Sequence, residues 1–266
     1  MYSKQPTIYI GYDPRENLAF EALVESIIET SSVKNLNIIK LNQPSLRASG
    51  LYRRAWHTEK HSSGSVQKLD TVDKKPLSTD FSFSRFLVPH LNQHEGYAIF
   101  MDCDMMLRSD IMEVFEKYSN PNHALSCVWH QYTPKEGLKM DSQIQQPYTR
   151  KNWSSFMLWN CSHPVHTNLT VDDINTKSGW WLHNFSWTTG WEQGRPTQFP
   201  LGQLPEEWNW LDNHSPEYIE AKNVHFTTGG PWFDDWVPVR EADKVYSKEW
   251  DSIKEKVVIN EGLVNV

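Results

Sequence analysis

Residues 97–111 read YAIFMDCDMMLRSDI. The run YAIFM has the length and apolarity of a strand covered on both faces. Asp102 and Asp104 then flank Cys103, a second apolar piece follows at Met105-Met106-Leu107, and Arg108-Ser109-Asp110 reads as a turn. The arrangement delivers two carboxylates at the carboxyl end of a buried strand, the edge at which open α/β sheets bind their ligands. Asp-x-Asp by itself is common by chance. Here core sequence flanks it on both sides, and a buried carboxylate pair needs a partner because unpaired buried charge is costly. Hard oxygen ligands suit Mg²⁺ or Mn²⁺. A cation held there would bridge diphosphate oxygens and neutralise a leaving group.

Toward the N-terminus, TIYIGY (7–12) reads as a strand ending near Gly11. Asp13-Pro14-Arg15-Glu16 reads as a helix start: Asp caps, Pro suits the first helical position and Glu sits three residues after the cap. Phe20, Leu23, Val24, Ile27 and Ile28 follow at helical spacing, and LNIIKLN (36–42) is a second strand. This β-α-β opening predicts an α/β fold with a nucleotide-binding edge. Residues 43–80 break the pattern with Pro44, Gly50, Gly64, Pro76 and many serines, and read as a flexible insert. The stretch TDFSFSRFLVPHL (79–91) reads as a helix carrying Arg85, which is a surface residue unless the fold turns it inward.

Toward the C-terminus, HALSCVWH (123–130) and NWSSFMLWNC (152–161) read as strands, the second led by Ser154 and Ser155. Residues 178–236 are rich in Trp, Gly and Pro and are expected to build a binding face. Within them HFTTGGPWF (225–233) offers His225 as a third metal ligand. Gly229 and Gly230 would let backbone N–H groups approach phosphate oxygens. A lone His beside a Gly-Pro turn is also an ordinary partial-core residue. The charged tail from about 240 reads as partly helical. With neither repeat nor linker, residues 1–266 are expected to form a single α/β domain, with the insert at 43–80.

The formal charge of -7 and the absence of a Lys/Arg cluster argue against nucleic acid as a partner. No apolar run is long enough for a transmembrane segment. The start MYSKQPTIYIGYD is too short and polar for a signal peptide. Cys103, Cys127 and Cys161 form neither a disulfide framework nor a zinc pattern, so a reduced, cytoplasmic protein is expected. The chain holds 13 tryptophans. Most are expected to pack the core, and the remainder to offer faces for sugars.

Taken in order, these segments resemble GT-A fold glycosyltransferases, and most closely the family 8 type that includes lipopolysaccharide galactosyltransferases and glycogenin; the resemblance implies a Rossmann-like mixed sheet flanked by helices. IYIGYDPRE resembles the first strand and base-binding turn, with Gly11, Tyr12, Asp13 and Arg15 at base-contacting positions. The segment around Arg85 resembles the helix that offers an Arg to the donor. YAIFMDCDMMLRSDI is similar to the Asp-x-Asp segment, with Cys103 among the nucleotide-sugar contacts. WSSFMLWN takes the place of the strand facing the donor sugar, LPEEWNWL (204–211) resembles a Pro-x-x-Trp-Asn element, and HFTTGGPWF matches the metal-ligating His with its Pro-Trp.

The resemblance implies a metal-dependent glycosyltransferase, hexosyltransferase-like and retaining, that uses Mn²⁺ or Mg²⁺ on Asp102, Asp104 and His225. It implies a nucleotide-diphosphate sugar, UDP-sugar above others, as donor, and a glycan, lipid-linked or other acceptor, as in polysaccharide biosynthesis. Asp104, Arg85 and His183 are the catalytic candidates. Gly11, Tyr12, Asp13, Arg15, Arg85, Asp102, Cys103, Ser154, Ser155, Trp187, Gly229 and Gly230 are the donor-binding ones. Three departures stand out. The family's Lys before Pro-Trp is Gly230, so Arg53, Arg54, Lys74 and Lys75 become candidate phosphate cations. Its Asn-Ala-Gly is replaced by Ser154 and Ser155. Its Asp-Gln pair lacks a clean counterpart, and WWLHNFSW (180–187) fills that space, with His183 and Trp187 toward the sugar. An inverting route would need a carboxylate base, for which Glu192, Asp212, Asp234 and Asp235 are available. The rival expectations are an inactive carbohydrate- or nucleotide-sugar-binding protein and a sugar nucleotidyltransferase.

Overall fold

Thr7–Gly11 form strand β1, buried at every residue. Its neighbours on either side, β2 (Asn37–Leu41) and β5 (Tyr97–Met101), run parallel to it, with Ile10 facing Lys40 and Met101. Between β1 and β2 lies helix α1 (Asn17–Thr30), which buries Phe20, Leu23 and Ile27, the apolar positions spaced for one helical face. A 3₁₀ turn, Pro14–Glu16, leads into it; Asp13 caps this turn by accepting a hydrogen bond from the Arg15 N–H at 3.0 Å. The computed structural model describes residues 6–60, 66–131, 137–138, 144–145, 150–189, 191–192, 195–196 and 200–264.

The insert after β2 carries regular structure: helix α2 (Gln43–Ala48) and a hairpin of β3 (Trp56–Lys60) with β4 (Val66–Asp70). Leu46, Tyr52 and Leu77 anchor it in the core. Arg54 and Asp70 form a buried ion pair at 2.7 Å, and Arg54 Nη1 also donates to the carbonyls of Ile174 and Lys177 at 3.0 and 2.6 Å. Such a pair persists in the interior because further hydrogen bonds satisfy it. The helix expected over 79–91 is shorter than its pattern suggested. Only Ser84–Leu87, a 3₁₀ turn, and α3 (Val88–Leu91) are helical. The Ser82 hydroxyl donates to the Thr79 carbonyl at 2.7 Å, one of the local hydroxyl bonds that compete with a helical backbone.

Beyond β5 come β6 (Met105–Leu107), α4 (Met112–Tyr118), β7 (Leu125–Val128) and β8 (Phe156–Asn160). The strand expected from 152 begins instead with a 3₁₀ turn, Trp153–Ser155, entered through Asn152 at a left-handed φ of 62°. Short helices α5 (Val171–Thr176) and α6 (Gly179–His183) precede β9 (Leu201–Leu204), β10 (Trp210–Leu211), β11 (Asn223–His225) and the long α7 (Glu241–Val264). The main sheet has the order β9-β7-β8-β5-β1-β2 and is mixed: β8 runs antiparallel to β5 and β7, the other pairs parallel. A smaller sheet, β10-β11-β6, sets His225 opposite Met105, just past the two acids. A second core cluster containing Trp210, Val224, Phe226, Tyr246 and Trp250 joins α7 to this small sheet. The acid-bearing turn 102–104 is thus held from both sides by packed strands.

Candidate functional site

The β5–β6 connection is short, and main-chain bonds fix its course. The Asp102 N–H donates to the Ser155 carbonyl at 2.9 Å, and the Phe226 N–H donates to the Asp104 carbonyl at 2.9 Å. At the bend between the two strands Cys103 turns into the core and the two flanking carboxylates face a cavity. Ligand atoms of Asp102, Asp104 and His225 lie within 4.8 Å of one another. Two acids from the main sheet and one imidazole from the small sheet therefore meet at one point, as the sequence led us to expect.

The hydrogen bonds around His225 fix its tautomer. Asn209, fully buried, donates through Nδ2 to the Asn152 carbonyl at 3.2 Å and the Ser155 hydroxyl at 2.9 Å. A carbonyl oxygen only accepts, so the amide oxygen of Asn209 must face His225 Nδ1, 2.9 Å away. Nδ1 therefore carries a proton, and Nε2 points at Asp104 Oδ1, 3.3 Å away. An Nε2 ligand whose Nδ1–H is held by an amide oxygen, set between two carboxylates, is a donor set that fits a divalent cation.

Arg85 points inward and is buried. Its Nη1 lies 3.0 Å from Asp102 Oδ1 and donates to the Ser154 carbonyl at 2.8 Å. The Ser154 hydroxyl bonds His183 Nδ1 at 2.8 Å, and Phe86 packs edge-on to the imidazole with centroids 5.2 Å apart. Burial, then the positive charges of Arg85 and Lys151, hold the His183 ring well below its usual pKa and hence neutral. Glu16 sits behind the acids. Burial, then Asp104 and Asp13, push its carboxyl up to about 8, and it accepts a hydrogen bond from the Cys103 thiol at 3.5 Å. Burial and the neighbouring acids thus bias Glu16 toward its neutral form, which limits the negative charge it adds beside the pair.

A cavity of about 420 Å³ is lined by Arg85, Asp102, Asp104, Ser154, Ser155, His183 and His225 among the expected residues. The others lie elsewhere. Arg15 and Asp13 bind one another (Nη2–Oδ2 2.8 Å), and they brace the segment beside the cavity through the Ser78 carbonyl and the Asp80 N–H. Burial raises the Asp13 carboxyl, but hydrogen bonds and charge from Arg15 lower it more, and the net shift is downward. Gly11 lies under the Phe81 ring, whose Cδ2 is 2.4 Å from where a Cβ would stand. The Tyr12 hydroxyl donates to Asn17 Oδ1 at 2.9 Å. Cys103 faces the core. Trp187, expected toward a sugar, is a core residue, packed against Trp159, Trp181, Phe86 and Phe185. Gly229, at φ 107°, shapes its turn, and a side chain at Gly230 would strike the Trp232 ring, 2.0 Å from a Cβ. Neither glycine lines the cavity.

The candidate phosphate cations separate in the same way. Arg53 pairs with Asp172, Arg54 with Asp70, and Lys74 Nζ donates to the Thr71 carbonyl. Lys75 does line the cavity, and Lys151, which sequence reasoning missed, joins it. Of the candidate bases, Asp212 is buried. Burial pushes its carboxyl up to about 7, and it accepts hydrogen bonds from the Thr228 hydroxyl and N–H. Asp234 and Asp235 are exposed outside the cavity, and the Glu192 side chain lies outside the described residues. Asn209 was missed as well, although the quoted Trp-Asn element contains it.

No family model matches the chain. Protein CDI of Arabidopsis thaliana is 40% identical over 241 residues, which span 89% of this chain and 83% of that protein. Among solved structures, the apo bifunctional glycosyltransferase WbbM superimposes with a TM-score of 0.55 at 15% identity, over 95% of this chain and 52% of that one. The chain therefore spans about half the length of WbbM. An active-site mutant of LgtC superimposes with a TM-score of 0.52 at 10% identity, over 92% of this chain and 95% of that one. At such identities the likeness carries the fold alone. By its identity to Protein CDI over most of its length, the chain belongs to the Protein CDI family, on a mixed α/β fold shared with GT-A glycosyltransferases.

Proposed function

We propose that this protein is a metal-dependent glycosyltransferase that moves a hexose from a nucleotide-diphosphate sugar, UDP-linked, to a glycan or lipid-linked acceptor. One observation carries the reading: Asp102, Asp104 and His225 converge within 4.8 Å on the wall of a cavity that also holds Arg85, Ser154 and His183. A bare carboxylate pair would repel a diphosphate. The same pair with a bound Mn²⁺ or Mg²⁺ attracts it, and the metal supplies Lewis-acid stabilisation of the departing nucleotide. Arg85 holds Asp102 in place and adds a fixed positive charge at the same wall. His183, neutral and bonded to Ser154, is suited to orient a sugar hydroxyl rather than to bring charge. Lys75 and Lys151 supply the cations that Gly230 cannot.

Retention of anomeric configuration follows the resemblance to the family 8 type. Its support here is that, among the described residues, the carboxylates lining the cavity are Asp73, Asp102 and Asp104. The last two serve the metal, and Asp73 already accepts main-chain N–H groups from Gly179 and Lys75 at 2.7 and 3.1 Å. None of the described helices is long and apolar enough to cross a membrane, and the three cysteines are buried in the core, which suits a cytoplasmic site of action. A thermal-shift screen of nucleotide-sugars with and without Mn²⁺ tests the reading. Stabilisation by a nucleotide-diphosphate sugar only with metal present is expected. A panel that leaves the melting temperature unchanged would overturn it.

A further inference from the structure

Trp180 is 63% exposed, against 38% for Trp56 and 36% for Trp129, and it lines the same cavity as the acid pair. A large indole left in water forgoes burial worth more than that of almost any other side chain, so its exposure at a cavity wall calls for an occupant. Its backbone is held firmly. Ser178 caps α6 by accepting from the Trp181 N–H at 3.2 Å, the Gly179 N–H donates to Asp73 Oδ2 at 2.7 Å, and Asn184 Nδ2 donates to the Trp180 carbonyl at 2.8 Å. Gly179 permits this approach, since a Cβ there would lie 2.9 Å from the Phe83 ring. Asp73, Lys75, Lys151 and Ser178 line the cavity as well. An exposed apolar face on a short helix whose start holds a carboxylate and a hydroxyl, all on one cavity wall, matches a pyranose, which has an apolar C–H face and a hydroxyl-bearing rim.

We propose that Trp180 is the stacking platform of an acceptor subsite that takes a pyranose residue, with Asp73 and Ser178 addressing its hydroxyls. The assignment rests on the glycosyltransferase reading, because only there does the same cavity need a second sugar beside the donor. It differs from a donor-sugar contact in what its loss removes: the acceptor's affinity and not the nucleotide's.

Saturation-transfer NMR on the full chain, with UDP and Mn²⁺ present, tests it with the methyl pyranosides of glucose, galactose and xylose as probes. At least one should bind the wild type. Its dissociation constant should rise about tenfold or more in Trp180→Ala, as loss of a sugar-sized apolar contact implies, and largely recover in Trp180→Phe. The affinity for UDP with Mn²⁺ should stay the same in all three proteins. Pyranosides that ignore the wild type, or bind Trp180→Ala equally well, overturn the subsite. A matching loss of UDP affinity in Trp180→Ala overturns its assignment to the acceptor. A wild type that binds pyranosides but not UDP and Mn²⁺ overturns the glycosyltransferase reading instead, and the acceptor label with it.

Discussion

His225 is useful as a ligand only if the correct nitrogen faces the acids, and Asn209 decides which one does. If Asn209 acts through His225, Asn209→Ala should weaken Mn²⁺ binding by roughly 10- to 100-fold, the usual cost of losing a partner of a metal-ligating imidazole. The same substitution should add nothing in a His225→Ala background, because the two residues then form one functional unit. Electron paramagnetic resonance of free Mn²⁺ reads this without relying on turnover. Additive losses would show that Asn209 merely supports the fold. Arg85 makes a second test at this scale. Arg85→Ala removes a charge-assisted contact worth ~1.5–3 kcal/mol and should lower donor affinity or turnover by about tenfold or more. Unchanged kinetics would leave Arg85 with only a structural part to play.

At the scale of elements, the insert divides into an anchored part and a cavity edge. The β3–β4 hairpin is tied down by Arg54–Asp70, whereas residues 75–79 contribute Lys75 and their neighbours to the cavity wall. Hydrogen exchange should therefore show the Arg54–Asp70 region protected with or without nucleotide and Mn²⁺, and new protection at 75–79 when both are added. Equal protection of 75–79 in the two states would dismiss closure over the donor. The same segment shows where the sequence stops being readable. The β-α-β opening and the acid pair were legible because periodicity and capping are local signals. The hairpin was not, because what holds it is an Arg–Asp pair joined to carbonyls about 120 residues away along the chain. Tryptophans were ambiguous for a related reason. Trp180 and Trp187 stand in one short stretch, yet tertiary packing buries Trp187 and leaves Trp180 in water. His225 was legible as a candidate, while the amide that fixes its tautomer shows only once the small sheet has formed.

For the whole molecule, buried neutral histidines set a pH dependence. Burial lowers His166 to about 4, and it lowers His130 to about 3 and His183 well below the ordinary value. The unfolded chain takes up protons below about 6.5 while the folded one does not, so stability is full above that value and is lost as pH falls. For His166 alone the loss by pH 5 is on the order of 2 kcal/mol. His166→Gln should flatten the fall in melting temperature between pH 7.5 and 5; a parallel curve would refute the assignment. The central claim is that the Asp102–Asp104–His225 cluster makes this fold a metal-dependent sugar transferase. Its most direct test is release of nucleotide diphosphate from a nucleotide-sugar across a Mn²⁺ titration, for the wild type, Asp104→Asn and His225→Ala, with circular dichroism as the folding control. The account predicts release that needs metal, vanishes in EDTA, is abolished in folded Asp104→Asn and requires more Mn²⁺ in His225→Ala. Full activity in EDTA, or His225→Ala with the wild-type Mn²⁺ dependence, would contradict it.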